Sequence, residues 1–195
     1  MRVTKVLLAS KSPRREELLK KIVAPDGIIV TGSEIPENRR KGESAETFCK
    51  RVAQEKAADV WRRYSGQRSD IAAVVGADTV ISFRGEVIGQ PENKEDAIRI
   101  LEQLSGQCHE VITGVAVLFP RPDRFTTFIV KSEVWMHKLG IETIENYVAT
   151  GEPLDKAGAY AIQGQGRSLV ERYEGSYTNI VGLPLEELER VLNSA

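Results

Sequence analysis

Ile71-Ala-Ala-Val-Val-Gly-Ala-Asp-Thr79 is the stretch on which the fold turns. Its first five residues are an uninterrupted run of β-branched and small apolar side chains, the composition of a strand buried on both faces of a sheet. Gly76-Ala77-Asp78-Thr79 then sets a carboxylate at the end of that run. Burying an unpaired charge costs several kcal/mol, so Asp78 is expected at the open C-terminal end of the strand, facing a metal, a cationic side chain or a bound ligand. The plainer alternative is a turn, with Thr79 helping Asp78 to hydrogen-bond local backbone.

On the N-terminal side, Val3 to Ala9 reads as a first strand, and Ser12-Pro13 opens a helix reaching about Ile22, with serine at the N-cap and proline at the first helical position. Arg14 and Arg15 fall in the first turn, where the helix dipole disfavours cations. Two arginines there make sense if an anion neutralises them, because guanidinium groups grip phosphate bidentately; solvated arginines are the bland reading. Gly27 to Thr31 gives a short strand, and Glu34 follows in a Gly/Ser/Pro-containing loop that by itself suggests a solvated carboxylate. Ser44 can cap a long helix to Arg63 with Phe48, Cys49, Val52, Ala53, Ala57, Val60 and Trp61 on its apolar stripe. Lys56 borders that stripe, either snorkelling to water or reaching the same cleft as Asp78.

On the C-terminal side, Val80–Phe83 and Glu86–Ile88 flank Arg84-Gly85 as a hairpin, and Asn93 caps a helix over Lys94–Leu104. Glu110–Leu118 and Phe125–Met136 are expected as antiparallel neighbours joined by the Pro120-Arg-Pro-Asp turn; Glu133 lies in the second of them. A short helix spans Ile141–Ala149. The segment Gly151–Gly166 carries Asp155, Lys156 and Gln163 among many glycines, and its interleaved Leu154, Tyr160 and Ile162 indicate a packed functional loop rather than disorder. Ser168–Tyr173 forms a further strand, and Pro184 starts a C-terminal helix through Leu192. Strands mix with helices without strict βαβ alternation, giving an α/β protein with a long mixed sheet.

At 195 residues the chain suits one domain, with room for two lobes around one cleft. With 27 Lys+Arg against 28 Asp+Glu the net charge is -1, so no long-range field draws it to polymeric nucleic acid or to an anionic membrane. No apolar stretch approaches the roughly 20 residues of a membrane span, and no secretory leader is evident, so a cytosolic protein is expected. Cys49 and Cys108 are too few for a disulfide framework, and Cys108-His109 lacks zinc spacing, so both read as reduced thiols. P-loop and dinucleotide fingerprints are missing, and with only His109 and His137 and no Gly-x-Ser-x-Gly a serine hydrolase is poorly supported. What remains is an arginine pair, lysines and the carboxylates Glu34, Asp78, Glu133 and Asp155. Cations hold phosphates and carboxylates bind Mg²⁺ or Mn²⁺, a combination that points to metal-assisted phosphoanhydride hydrolysis.

Leu8-Ala-Ser-Lys-Ser-Pro-Arg-Arg-Glu-Glu-Leu-Leu19, Gly76-Ala-Asp-Thr79, Leu104-Ser-Gly106, Asp155-Lys-Ala-Gly-Ala-Tyr-Ala-Ile-Gln-Gly164 and Gly182-Leu-Pro-Leu185 together closely resemble the Maf family of nucleoside triphosphate pyrophosphatases, in order and over essentially the whole chain. The resemblance implies an elongated mixed β-sheet flanked by helices with a central cleft, similar to inosine triphosphate pyrophosphatases. It also implies hydrolysis of a nucleoside triphosphate to the monophosphate and pyrophosphate with a divalent metal, Mg²⁺ or Mn²⁺, and it allows a homodimer. Asp78 matches the family's proton acceptor; Glu34 and Lys56 join it as catalytic positions, with Glu34 and Asp78 toward the metal. Ser10, Ser12, Arg14, Arg15, Asp155 and Lys156 match motif positions around the phosphates. Arg14, Thr79 and Gln163 are the residues of the branch that resembles dTTP/UTP pyrophosphatases, where the branch preferring 7-methyl-GTP has Trp, Gln and Glu. Gln90 departs from the lysine that many members carry before Pro91, which should weaken phosphate contacts unless Lys94 or another lysine substitutes. The rival expectation is a nucleotide-sensing regulator of cell division or septum formation that binds without turnover.

Overall fold

The apolar run at Ile71 does not end at the carboxylate. A computed structural model of the chain, which describes residues 5–64, 70–120 and 124–194, shows one strand of 13 residues from Ile71 to Phe83 that passes straight through Asp78. In chain order the elements are β1 (Lys5–Ala9), α1 (Pro13–Leu19), β2 (Ile28–Thr31), α2 (Ala45–Tyr64), β3 (Ile71–Phe83), β4 (Glu86–Ile88), α3 (Lys94–Leu104), β5 (Cys108–Phe119), β6 (Arg124–Met136), α4 (Ile141–Ala149), β7 (Val170–Glu174), α5 (Tyr177–Val181) and α6 (Leu185–Asn193). Residues 121–123 of the expected Pro120-Arg-Pro-Asp turn and the start of the first strand at Val3 lie outside the described residues.

The seven strands form one mixed sheet in the order β2-β1-β3-β5-β6-β7, with β4 on the free edge of β3. β1 is parallel to both β2 and β3; the remaining pairs are antiparallel. Because β5 pairs with β3 without a break from Val74 to Ser82, the ladder holds β3 together through Asp78, which is why the expected strand end is not there.

Alternate residues of β3 face opposite layers, as strand geometry requires. Ala73, Val75, Ala77 and Ile81 join the larger core beneath α3, α4 and α6, where Leu101, Ile144 and Leu188 are buried. Val74 and Val80 face the other way, toward Val60 and Val52 of α2. Lys56, on that same helix, is therefore carried to the face that Asp78 shares.

The opening in the sheet comes from its neighbours. β1 follows β3 only as far as Ala9 opposite Gly76, and β4 picks up the same edge only at Ile88 opposite Ile81. Between these points Ala77 to Val80 have no strand on that side. Asp78 can thus leave the ladder's free edge on one face and Thr79 on the other.

Candidate active site

The gap is the floor of a cleft of about 630 Å³. Its lining includes Ser10, Ser12, Arg14, Arg15, Lys56, Asp78, Thr79, Asp155, Lys156 and Gln163, residues drawn from five separate stretches of the sequence. Of the expected site residues all but Glu34 are brought to this one cavity; Glu133, weighed with them as a carboxylate, lies exposed on β6 away from it.

Asp78 and Lys56 are both only 6% exposed, which decides the two open readings: the lysine does not snorkel to water and the aspartate is not a surface turn cap. Lys56 Nζ donates to Asp78 Oδ1 at 2.9 Å. It also meets Glu37 Oε2 at 2.8 Å, so one ammonium draws two carboxylates together. Lys56 reaches this point because α2 lies directly on the sheet. A Cβ placed on Gly76 would sit 2.2 Å from the Ala53 carbonyl oxygen, and one on Gly114 would sit 2.5 Å from the Cys49 carbonyl carbon. Only glycine permits that approach of helix and strand backbones.

Glu34 is placed elsewhere. Its carboxylate is 73% exposed and meets Arg63 Nη1 at 3.4 Å, while its backbone N–H donates to Asp59. The carboxylate of this loop that enters the cleft is Glu37. The loop's path is set by Arg51 of α2, which donates to both oxygens of Glu43 at 2.7 and 2.8 Å and to the Asn38 carbonyl at 3.0 Å. That anchorage turns Glu37 inward and leaves Glu34 on the rim.

Arg14 and Arg15 part company although adjacent. Arg15 turns inward: Nε donates to the Gly182 carbonyl at 2.8 Å, Nη2 to Thr79 Oγ1 at 3.0 Å and Nη1 to Ser10 Oγ at 3.4 Å. Burial pulls its guanidinium below the ordinary arginine value, opposed by the charge of Asp78. Arg14 stays at the mouth, 3.6 Å from Asp155. Asp155 is in turn paired with Lys156, and Gln90 donates to the Asp155 carbonyl at 3.2 Å, so the glycine-rich loop is tied down across the cleft. Ser12 occupies the N-cap of α1 without a side-chain capping bond; its N–H is taken by Ser10 Oγ at 3.2 Å. Lys94 is not among the cleft residues.

Sequence reasoning missed the layer beneath Thr79. Thr113 donates to the Asn179 carbonyl at 3.1 Å and lies 2.9 Å from Thr79 Oγ1. With the Thr113 proton so used, Thr79 must donate to Thr113, and since it already accepts from Arg15 it offers the cleft only a lone pair. Asn179, fully buried, donates to the Val111 carbonyl and to Ser132, locking α5 to the sheet. A threonine at a core position of an apolar strand was the available signal for this network. His109 is a second omission: it is buried, its Nε2 lies 2.7 Å from the Tyr160 hydroxyl, and burial pushes it down to about 4. A neutral imidazole thus props Tyr160 against the cleft wall.

No group of three or more His, Cys, Asp or Glu able to hold a metal is found among the described residues. Asp78 and Glu37 alone supply two hard oxygen donors. Mg²⁺ is commonly held by one or two carboxylates together with substrate phosphates and water, so the donor set suits an ion that shares its coordination with a nucleotide.

Comparison with known proteins finds similarity over nearly the whole chain. The family model described as Maf-like protein matches residues 5–195. A protein of Geobacter sulfurreducens named dTTP/UTP pyrophosphatase is 46% identical over 193 residues, covering 96% of each chain. One of the same name from Dictyoglomus thermophilum is 44% identical over 190 residues, covering 96% of this chain and 94% of its own. A third, from Methanosarcina barkeri, is 41% identical over 97% of this chain and 93% of its own. Among solved structures, a HAM1 protein from Coxiella burnetii superposes with a TM-score of 0.53 at 15% identity, covering 98% of this chain and all of that one, a likeness of fold.

Proposed function

We propose that this chain, which belongs to the Maf family, hydrolyses dTTP and UTP to the monophosphate and pyrophosphate. The observation that carries this reading is the buried Asp78–Lys56–Glu37 cluster at the open edge of a strand, inside a cleft whose other walls bear Arg14, Lys156 and Gln163.

In the proposed reaction Asp78 accepts a proton from water as its oxygen attacks the α-phosphorus. The bond from that phosphorus to the α,β-bridging oxygen breaks, and pyrophosphate leaves with the bridging oxygen. Lys56 orients the Asp78 carboxylate. Asp78 and Glu37 would hold a divalent cation, which supplies neutralisation of phosphate charge when bound. On the other wall, Gln163 presents one acceptor and two donors to the O4/N3–H edge of uracil or thymine, and the Thr79 lone pair faces the same space. Arg15 supports the site by donating to Thr79 and Ser10, three of its five N–H groups being spent on Gly182, Ser10 and Thr79.

The test is turnover of the purified chain on a nucleotide panel, with Mg²⁺, with Mn²⁺ and after exhaustive EDTA treatment. UTP and dTTP should exceed ATP, GTP and 7-methyl-GTP in kcat/KM, with pyrophosphate as the first product and activity lost on chelation. Orthophosphate as the first product, or purines cleaved as well as UTP, would refute the reading. Within it, Glu37→Gln should lower kcat/KM roughly tenfold or more, the scale of one lost hydrogen bond to a charged group, whereas Glu34→Gln should stay within about twofold of wild type. Equal losses in the two variants would show that Glu37 has no special role. The sensor reading is not favoured: the relatives above carry enzyme names, and a binding protein has no use for a base at Asp78.

A further inference from the structure

Five cationic side chains line the cleft, and four of them already have partners: Arg14 with Asp155, Arg15 with Gly182 and Thr79, Lys56 with Asp78 and Glu37, and Lys156 with Asp155. The fifth, Lys11, is exposed and has no hydrogen bond or ion pair among the described residues. Its stem is nonetheless placed. It lies across the backbone of Gly32, where a Cβ would come within 2.4 Å of both Lys11 Cγ and Cε. Gly32 follows β2, at the side of β1 away from β3, and begins the loop that returns Glu37 to Lys56. Lys11, two residues past the end of β1 at Ala9, thus stands on the β2 side of the gap that Asp78 opens into, whereas Thr79 looks to the opposite face of β3.

We propose that Lys11 binds the β- and γ-phosphates of the substrate, and hence the departing pyrophosphate, as the one cation of the cleft held in reserve for them among the described residues. This rests on the pyrophosphatase reading. A nucleotide that puts its α-phosphate at Asp78 and its base toward Thr79 and Gln163 runs its remaining phosphates away from that face, toward Gly32. Those phosphates carry most of the ligand's charge, and every other lining cation is already shared with a protein carboxylate, carbonyl or hydroxyl. Lys11 releases nothing. Gly32 makes room for the four-carbon stem and restricts its wandering, which lowers the entropy cost of fixing a lysine on an anion.

The experiment compares wild type, Lys11→Gln and Lys11→Arg by calorimetric titration with inorganic pyrophosphate and separately with UMP, in Mg²⁺, alongside UTP kinetics. Lys11→Gln should weaken pyrophosphate binding about tenfold and raise KM for UTP similarly, leaving UMP binding unchanged, while Lys11→Arg keeps pyrophosphate binding within about threefold. Pyrophosphate binding that is undiminished in Lys11→Gln, or absent in wild type, would overturn the proposal, and so would an equal loss for UMP. A wild-type protein that binds pyrophosphate but does not turn over UTP would instead overturn the pyrophosphatase reading.

Discussion

Asp78→Asn should lower kcat on UTP by roughly 10²- to 10⁴-fold, the range typical of a lost general base, while leaving a folded protein that still binds nucleotide. The expectation depends on what the amide keeps. Asparagine has the shape of aspartate and an oxygen that can still accept from Lys56, which stands 2.9 Å away. Breaking a buried ion pair by removing one partner commonly costs about 3–5 kcal/mol because the other charge is stranded. Here Lys56 retains Glu37 at 2.8 Å, so the stability loss should be well below that range. Steady-state kinetics together with a thermal melt separate the two effects. A folded Asp78→Asn enzyme with near-normal turnover would remove Asp78 from the chemistry.

The helices and strands with clear periodicity were legible from the residues. α3 begins after Asn93 and ends at Leu104 as its capping signals indicated, the Asn93 side chain accepting from the Asp96 N–H at 2.8 Å. α6 starts at Leu185 behind Pro184, and β5 and β6 pair antiparallel as expected. The convergence of Ser10, Arg14, Lys56, Asp78, Asp155 and Gln163 on one cleft was also anticipated.

What could not be read was decided by contacts far apart in sequence. Glu34 and Glu37 sit in one irregular loop with no period to orient them, and their fates depend on Arg51 gripping Glu43 and Asn38 from the helix that follows. A buried charge at Asp78 needs an opening, and local sequence alone places such an opening at a strand end. The sheet supplies that opening by ending β1 opposite Gly76 instead, a property of the neighbour that local sequence does not encode. Arg14 and Arg15 differ by one helical step, about 100° of rotation. That step separates a residue at the cleft mouth from one that turns inward to donate to Gly182, Thr79 and Ser10.

Gly114→Ala should be among the most damaging single methyls that could be added to this protein. Gly114 stands directly opposite Asp78 in the ladder, on the face covered by α2. The new Cβ would lie 2.5 Å from the Cys49 carbonyl carbon, 2.6 Å from its oxygen and 2.7 Å from the Lys50 nitrogen, all helix backbone. No rotamer change relieves a clash with backbone, so helix and sheet must separate by about 1 Å to restore ordinary contact distances. Overpacking of this kind costs about 1–3 kcal/mol and sometimes more, and with rigid backbone on one side the upper end applies. For a chain of this size that corresponds to a fall in Tm of roughly 6–12 °C. The displacement would also lift Lys56 away from Asp78, so turnover should drop beyond what the loss of folded protein explains. Gly140→Ala is the control: nothing lies within 4 Å of a Cβ there, and its φ of -80° suits alanine, so its melt should match wild type. If Gly114→Ala melts within about 2 °C of wild type, α2 is not held against the sheet by backbone contact. The two glycines flanking Asp78 would then need another explanation.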